Sequence, residues 1–177
     1  YVVVLLDWTS RDIDLGNGVV LKHNGNYYNG KLLIKYNSKG EAQYVENILE
    51  NDYRGNGLIV TSDGGYAISG KFSKRVKDEA NNSIKFEYDN EVRKYNSEGE
   101  VEWSKVIDVG TANEFSEISE ISEGRYIIGG NLYTDTLELD NGKKLKNNGD
   151  TDLVVLEVYK RPETQEIQEL VVSNRRK

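Results

Sequence analysis

The apolar positions of this chain fall in short alternating runs, and the runs recur. Gly57-Leu58-Ile59-Val60-Thr61-Ser62 is a β-branched stretch, and Asp63-Gly64-Gly65 follows as a tight turn in which two glycines reach positive φ without steric cost. Tyr66-Ala67-Ile68-Ser69-Gly70-Lys71-Phe72 alternates large apolar residues with small or polar ones, the pattern of a half-buried strand. Glu91–Tyr95 reads as a third strand, Asn96-Ser97-Glu98-Gly99 as a hairpin turn, and Val101–Ile107 as a fourth strand. The next unit opens near Phe115, with Ile118 and Ile121 in its first strand.

Three stretches return along the chain. Lys35-Tyr36-Asn37-Ser38-Lys39-Gly40-Glu41 reappears 59 residues later as Lys94–Glu100, and Ser62–Gly70 reappears 60 residues later as Ser122–Gly130. Leu15–Gly25 reappears 124 residues later, about two periods, as Leu139–Gly149. A period of this length marks supersecondary units that bury their apolar faces against one another. The expected fold is therefore all-β: tandem four-stranded antiparallel meanders resembling β-propeller blades, as a partial propeller or an open stack.

The repeats predict a region 1–160, with a partial unit at 1–56, a full unit at 57–114 and a partial unit at 115–160. Residues 161–177, which contain the only proline, read as a linker or capping strand toward a following module. In the first and third copies an extra hairpin is expected between second and third strands. It spans 12–15 and 19–22 around Gly16-Asn17-Gly18, and 136–139 and 143–146 around Asp140-Asn141-Gly142. In the middle copy the polar segment 73–83 takes its place and is expected to be mobile. Tyr1 aligns with Tyr66 and Tyr126, which starts the chain on a second strand and puts Leu5 where later copies have Gly70 and Gly130. Tyr44 stands where the second copy has Trp103. The last copy ends on a third strand, 153–159, leaving one complete unit between two incomplete ones. The best helix candidate is Glu163–Val172, although Glu169–Val172 also reads as a strand.

Asp63–Phe72, Leu139–Gly142 and Lys94–Trp103 together carry the pattern Asp-Gly-Gly-Tyr-x-Ile-x-Gly-x-Phe, Leu-x-Asn-Gly, Lys-Tyr-Asn-x-x-Gly-Glu-x-x-Trp. This pattern is similar to bacterial β-propeller-type repeats of about 60 residues, found in large secreted and cell-surface proteins. The resemblance implies an extracellular or cell-surface location, with neighbouring repeats or modules of a longer chain as partners. It transfers no catalytic signature.

Composition narrows the function. With 23 Lys and Arg against 30 Asp and Glu, the formal charge is −7, which argues against nucleic-acid binding and against docking on anionic lipid. The absence of cysteine removes disulfides and thiolate metal sites. The apolar opening Tyr1–Leu6 is too short to span a bilayer, so no membrane insertion is expected. With no methionine anywhere, the chain reads as an excised or processed piece of a longer one.

The recurring aromatics Tyr36, Tyr95, Tyr44 and Trp103 are read as packing between sheets. The non-recurring ones, Trp8, Tyr27, Tyr28, Tyr53 and Tyr133, are the candidate ligand-binding residues, because exposed Tyr and Trp can stack on sugar faces or anchor a protein partner. Asp12-Ile13-Asp14 and Asn147–Asp152 invite a calcium reading, but neither has the spacing of a known calcium loop, and Asn, Asp and Gly are ordinary turn formers. His23, the only histidine, has Asn147 as its counterpart and is read as a solvated turn residue. There is no phosphate loop and no nucleophile elbow. The expected function is a non-enzymatic scaffold or adhesion module without cofactor or metal. The alternative is a glycan- or protein-binding propeller using the loop aromatics; a hydrolase ranks below both.

Overall fold

The structure is a computed structural model that describes residues 2–8, 11–22, 30–47, 54–80, 82–109, 113–139, 142–160 and 167–176. Among these there is no helix; they form antiparallel sheets throughout. The chain divides into two compact units, Tyr1–Tyr53 and Arg54–Lys177.

The first unit holds a three-stranded sheet of β1 (Val2–Trp8), β4 (Gly30–Tyr36) and β5 (Ala42–Asn47), in that order, with the hairpin β2 (Ile13–Asp14) and β3 (Val20–Leu21) between β1 and β4. The hairpin closes through Leu15 N–H to the Val19 carbonyl at 2.9 Å, with Gly18 at φ +77°. Its apolar residues Ile13, Leu15 and Leu21 pack with Leu32 and Ile34 of β4.

The second unit holds two four-stranded sheets. β6 (Arg54–Val60), β7 (Tyr66–Lys77), β8 (Ile84–Tyr95) and β9 (Val101–Val109) form a meander, here the second sheet. The third sheet is β10 (Glu114–Ser122), β11 (Arg125–Leu132), β14 (Asp152–Lys160) and β15 (Ile167–Arg176), with the hairpin β12 (Thr136–Glu138) and β13 (Lys144–Lys146) inserted between β11 and β14. Both inserted hairpins thus occupy the place the sequence predicts, and Leu137 faces Leu145 as Ile13 faces Leu21.

The third sheet lies across the second. β10 runs over β6, β7 and β8, and β15 approaches β9. Strict alternation in β11 buries Tyr126, Ile128, Gly130 and Leu132 on one face, as the period of a strand requires. Ile128 and Leu132 join Val154, Leu156 and Val158 of β14, Leu137, Leu139 and Leu145 of the hairpin, and Val92 and Ile107 of the second sheet in one core. Burying side chains of this size contributes about 1.5–3 kcal/mol each before the entropy cost. Gly57 is required at this junction: a Cβ there would collide with Ser69 of its own sheet and with the Ser116 carbonyl of the third.

Four expectations are corrected. Residues 73–77 are not a loop that replaces the hairpin: β7 and β8 are twelve residues each, and Ser73–Lys77 pairs with Ile84–Tyr88 as a two-stranded ribbon. The turn at its tip is closed by Asp78 N–H to the Ser83 carbonyl at 2.8 Å. The third copy does not stop at its third strand, since β15 pairs with β14 from Lys160↔Ile167 to Asp152↔Arg176, and over 167–172, the described part of Glu163–Val172, the strand replaces the helix reading. The first copy is displaced by one residue. Tyr66 pairs with Tyr95, and Val2 pairs with the equivalent Tyr36, so Val2 holds the place of Tyr66 and Leu6 the place of Gly70. Tyr1 itself lies outside the described residues.

Candidate functional site

The repeated motifs converge at one end of the second sheet. In the turn before β7, the Asp63 carboxylate accepts from the Gly65 N–H at 2.9 Å and the Thr61 hydroxyl at 2.6 Å, while Gly64 takes φ +87°. Lys94, from the Lys-Tyr-Asn motif, brings its ammonium to this turn: Nζ lies 2.8 Å from Asp63 Oδ2, 2.7 Å from Glu102 Oε2 and 2.8 Å from the Tyr95 carbonyl oxygen. The Lys94 side chain is only 2% exposed. Burial alone would lower its pKa, but Asp63 and Glu102 outweigh burial and raise it. Burial likewise opposes the Asp63 charge, yet Lys94, Thr61 and Gly65 hold its carboxyl down to about 2.

The neighbouring hairpin turn explains why Asn and Glu recur. In Asn96–Glu100, Asn96 Oδ1 accepts the Glu98 and Glu100 N–H groups at 3.0 and 2.8 Å, and its Nδ2 donates to Glu100 Oε2 at 3.0 Å. Asn37–Glu41 repeats every one of these bonds, at 2.9, 3.0 and 2.7 Å. The glycines Gly40 and Gly99 supply φ of +78° and +94°.

The recurring aromatics pack. Tyr66 stacks on Tyr95 with ring centroids 4.7 Å apart, and Trp103 meets Tyr126 of the third sheet at 5.7 Å. Burial, and then the charge of Glu120, raise the Tyr126 pKa. Glu120 also clasps the second sheet, accepting the Ser62 N–H at 2.6 Å and its hydroxyl at 3.1 Å.

The opposite end of the unit carries a polar groove. A groove of about 530 Å³ is lined by Ser104–Asp108 of β9 and by Thr136 and Glu138 of β12. Asn113, fully buried, is hydrogen-bonded to the lining residue Asp108. Its Nδ2 donates to Asp108 Oδ2 at 2.8 Å and to the Thr134 hydroxyl oxygen at 2.9 Å; its Oδ1 accepts the Tyr133 and Thr134 N–H groups at 2.8 and 3.0 Å. Its carbonyl accepts from Asn90 Nδ2 at 3.1 Å. Burial raises the Asp108 pKa most, and the Asp89 charge adds to it, against hydrogen bonds from Asn113 and Asn90 and the charge of Lys71. Such a groove offers hydrogen-bonding groups to a polar ligand.

Of the five aromatic candidates, only Tyr133 has a described side chain. It is 46% exposed, on the turn that Asn113 orders. Trp8 ends β1 opposite Gly30, but its side chain lies outside the described residues, as do Tyr27, Tyr28 and Tyr53 entirely. Whether the five share one surface therefore lies outside the described residues. Asn113 escaped the sequence reading because it belongs to no repeated motif; its place between two strands, ahead of an alternating run, was the available signal.

Around Asp152 the loop is self-contained on one side: Asp152 Oδ2 accepts the Asn148 N–H at 3.2 Å, and Asn147 Oδ1 accepts the Gly149 N–H at 3.1 Å. Among the described residues, no group of three or more His, Cys, Asp or Glu converges as a metal site requires. His23 lies outside those residues. Among the described residues, no helix is long and apolar enough to cross a membrane. No protein-family model matches the chain, and neither a curated protein nor a solved structure matches it.

Proposed function

We propose that this chain is a non-enzymatic repeat module whose sheets are blades of the β-propeller type, acting as a scaffold or adhesion element in a larger bacterial cell-surface or secreted protein. The observation that carries the reading is the fate of the motif residues. Asp63, Lys94, Asn96, Glu100 and Glu102 are all used up in closing turns and neutralising one another, and Trp103 and Tyr126 in joining sheets. Residues consumed in this way are not available to turn over a substrate. The stacking of successive four-stranded sheets supports the blade reading, since each sheet buries a face it cannot bury alone. The acidic surface suits an exposed module that avoids nucleic acid.

Tyr133 favours a second role for the module, the binding of a glycan or protein. It is an exposed aromatic on a turn held rigid by Asn113, so little conformational entropy is lost when a partner stacks on it. A glycan array and a pull-down from surface extracts, run beside a broad hydrolase screen, test the proposal. Turnover of any substrate would refute the non-enzymatic reading. Saturable binding lost in Tyr133→Ala would show that the module binds through this turn.

A further inference from the structure

We propose that the groove between β9 and β12 is a binding site for an extended peptide, which joins the second sheet as a further strand beside β9. The inference stands on the strand registers and does not depend on the blade reading. A groove lined by the consecutive residues Ser104–Asp108 follows the edge of β9, because successive side chains of a strand point to opposite faces and a groove on either face would meet only alternate ones. Among the described residues β9 pairs with β8 alone; β15 approaches β9 but pairs with β14. The far wall is β12, which lines the groove with the exposed Thr136 and Glu138 while Leu137 turns into the core.

The registers tell which backbone groups this edge presents. The Asn96 N–H donates to the Glu100 carbonyl at 2.9 Å, which sets the alternation along β8. Counting back from that bond, Lys94↔Trp103, Val92↔Lys105 and Asn90↔Asp108 are the hydrogen-bonded pairs, and Arg93↔Ser104 and Glu91↔Val106 are the pairs between them. In such an intervening pair each residue turns its N–H and C=O away from the partner strand. Ser104 and Val106 therefore each present a donor and an acceptor to the groove, and their side chains are exposed as well.

Donor and acceptor pairs repeating every second residue, about 7 Å apart, match the main chain of another extended segment. The hydroxyls of a sugar ring sit closer together and do not reproduce that spacing. This identifies the occupant as a peptide bound through its backbone, with its side chains meeting Thr136 and Glu138 across the groove. Just past Val106 the extra residue Ile107 interrupts the ladder. The bulge ends the regular edge there, so the site takes a short segment and does not template open-ended pairing. Because the main chain carries the recognition, binding tolerates many peptide sequences.

Selection from a random decapeptide display library on the intact chain tests this. Enriched peptides, made synthetically, should slow amide exchange at Ser104 and Val106. N-methylation of alternate peptide residues, which blocks main-chain bonding and keeps every side chain, should weaken binding roughly tenfold or more in one of the two alternating sets. Val106→Pro removes an outward N–H and leaves the bonds to β8 in place, so it should keep the far-ultraviolet spectrum and lose binding to a similar degree. If that variant fails to fold, the exchange and the N-methylated peptides still decide. A library without enrichment overturns the proposal, as do protection that falls away from Ser104 and Val106 and full binding by both N-methylated sets. Glycan binding that depends on Tyr133 would survive any of these outcomes and leave the module reading standing.

Discussion

The ammonium of Lys94 lies 2.8 Å from the carboxylate of Asp63, joining a turn that precedes the second strand of its sheet to the end of the third. Asp63 is the anchor, because it also holds the Gly65 N–H. Asp63→Ala should lower stability by about 1–3 kcal/mol, since it takes a partner from a buried ammonium that keeps only Glu102 and one carbonyl. Urea unfolding should show a lower midpoint with an unchanged slope.

The same pair predicts an acid dependence. The Asp63 carboxyl, held down to about 2 in the folded chain, stabilises the fold fully above its ordinary value of 3.8. That contribution is lost as pH falls from about 4 through about 2. Because Asp63 is partly exposed, solvent screening limits the loss to about 1 kcal/mol. Unfolding midpoints between pH 5 and 2 should fall more steeply for the wild type than for Asp63→Asn.

Gly65 and Lys94 in the second sheet become Arg125 and Glu157 in the third, a charge reversal at one buried position. A Cβ on Gly65 would lie 2.5 Å from Lys94 Nζ and would also collide with the Tyr95 carbonyl oxygen. Gly65→Ala should therefore cost about 2 kcal/mol or more. Arg125→Ala should cost about 1–3 kcal/mol by leaving the buried Glu157 carboxylate without its cation. Each substitution should act without the other, which a double-mutant unfolding comparison would check.

Asn113→Ala should be the most local of the changes. It removes the acceptor of two backbone N–H groups and the donor to Asp108, costing about 2–4 kcal/mol. Hydrogen exchange should then quicken at Tyr133 and Thr134 before it does in β11.

Much of the architecture was legible because local chemistry and repetition agreed. Asn37 and Asn96 close identical turns, and Leu137 and Leu145 mirror Ile13 and Leu21. What escaped did so for physical reasons. β15 follows no Asn-x-x-Gly-Glu turn, and its place in the repeat is marked only by pairing: Leu170 faces Glu157 as Trp103 faces Lys94. The ribbon at 73–88 was hidden by the polar composition of Ser73–Lys77, although its other strand alternates Ile84, Phe86 and Tyr88 with Lys85 and Glu87. The one-residue slip in the first copy came from matching Tyr1 to Tyr66 by identity, whereas the strand is set by what it pairs with. The polar end was hidden because Asn113 and Asp108 are brought together by the sheets and by no motif.

The central claim is that the recurring residues serve the fold, while the exposed, non-recurring Tyr133 is open to recognition. A urea-unfolding series over Asp63, Lys94, Asn96, Trp103 and Tyr126, each changed to Ala and set beside Tyr133→Ala, tests it most directly. The account predicts losses of about 1 kcal/mol or more at every recurring position and less than about 0.5 kcal/mol at Tyr133. Recurring positions that proved neutral to stability while abolishing a binding or catalytic activity would contradict it.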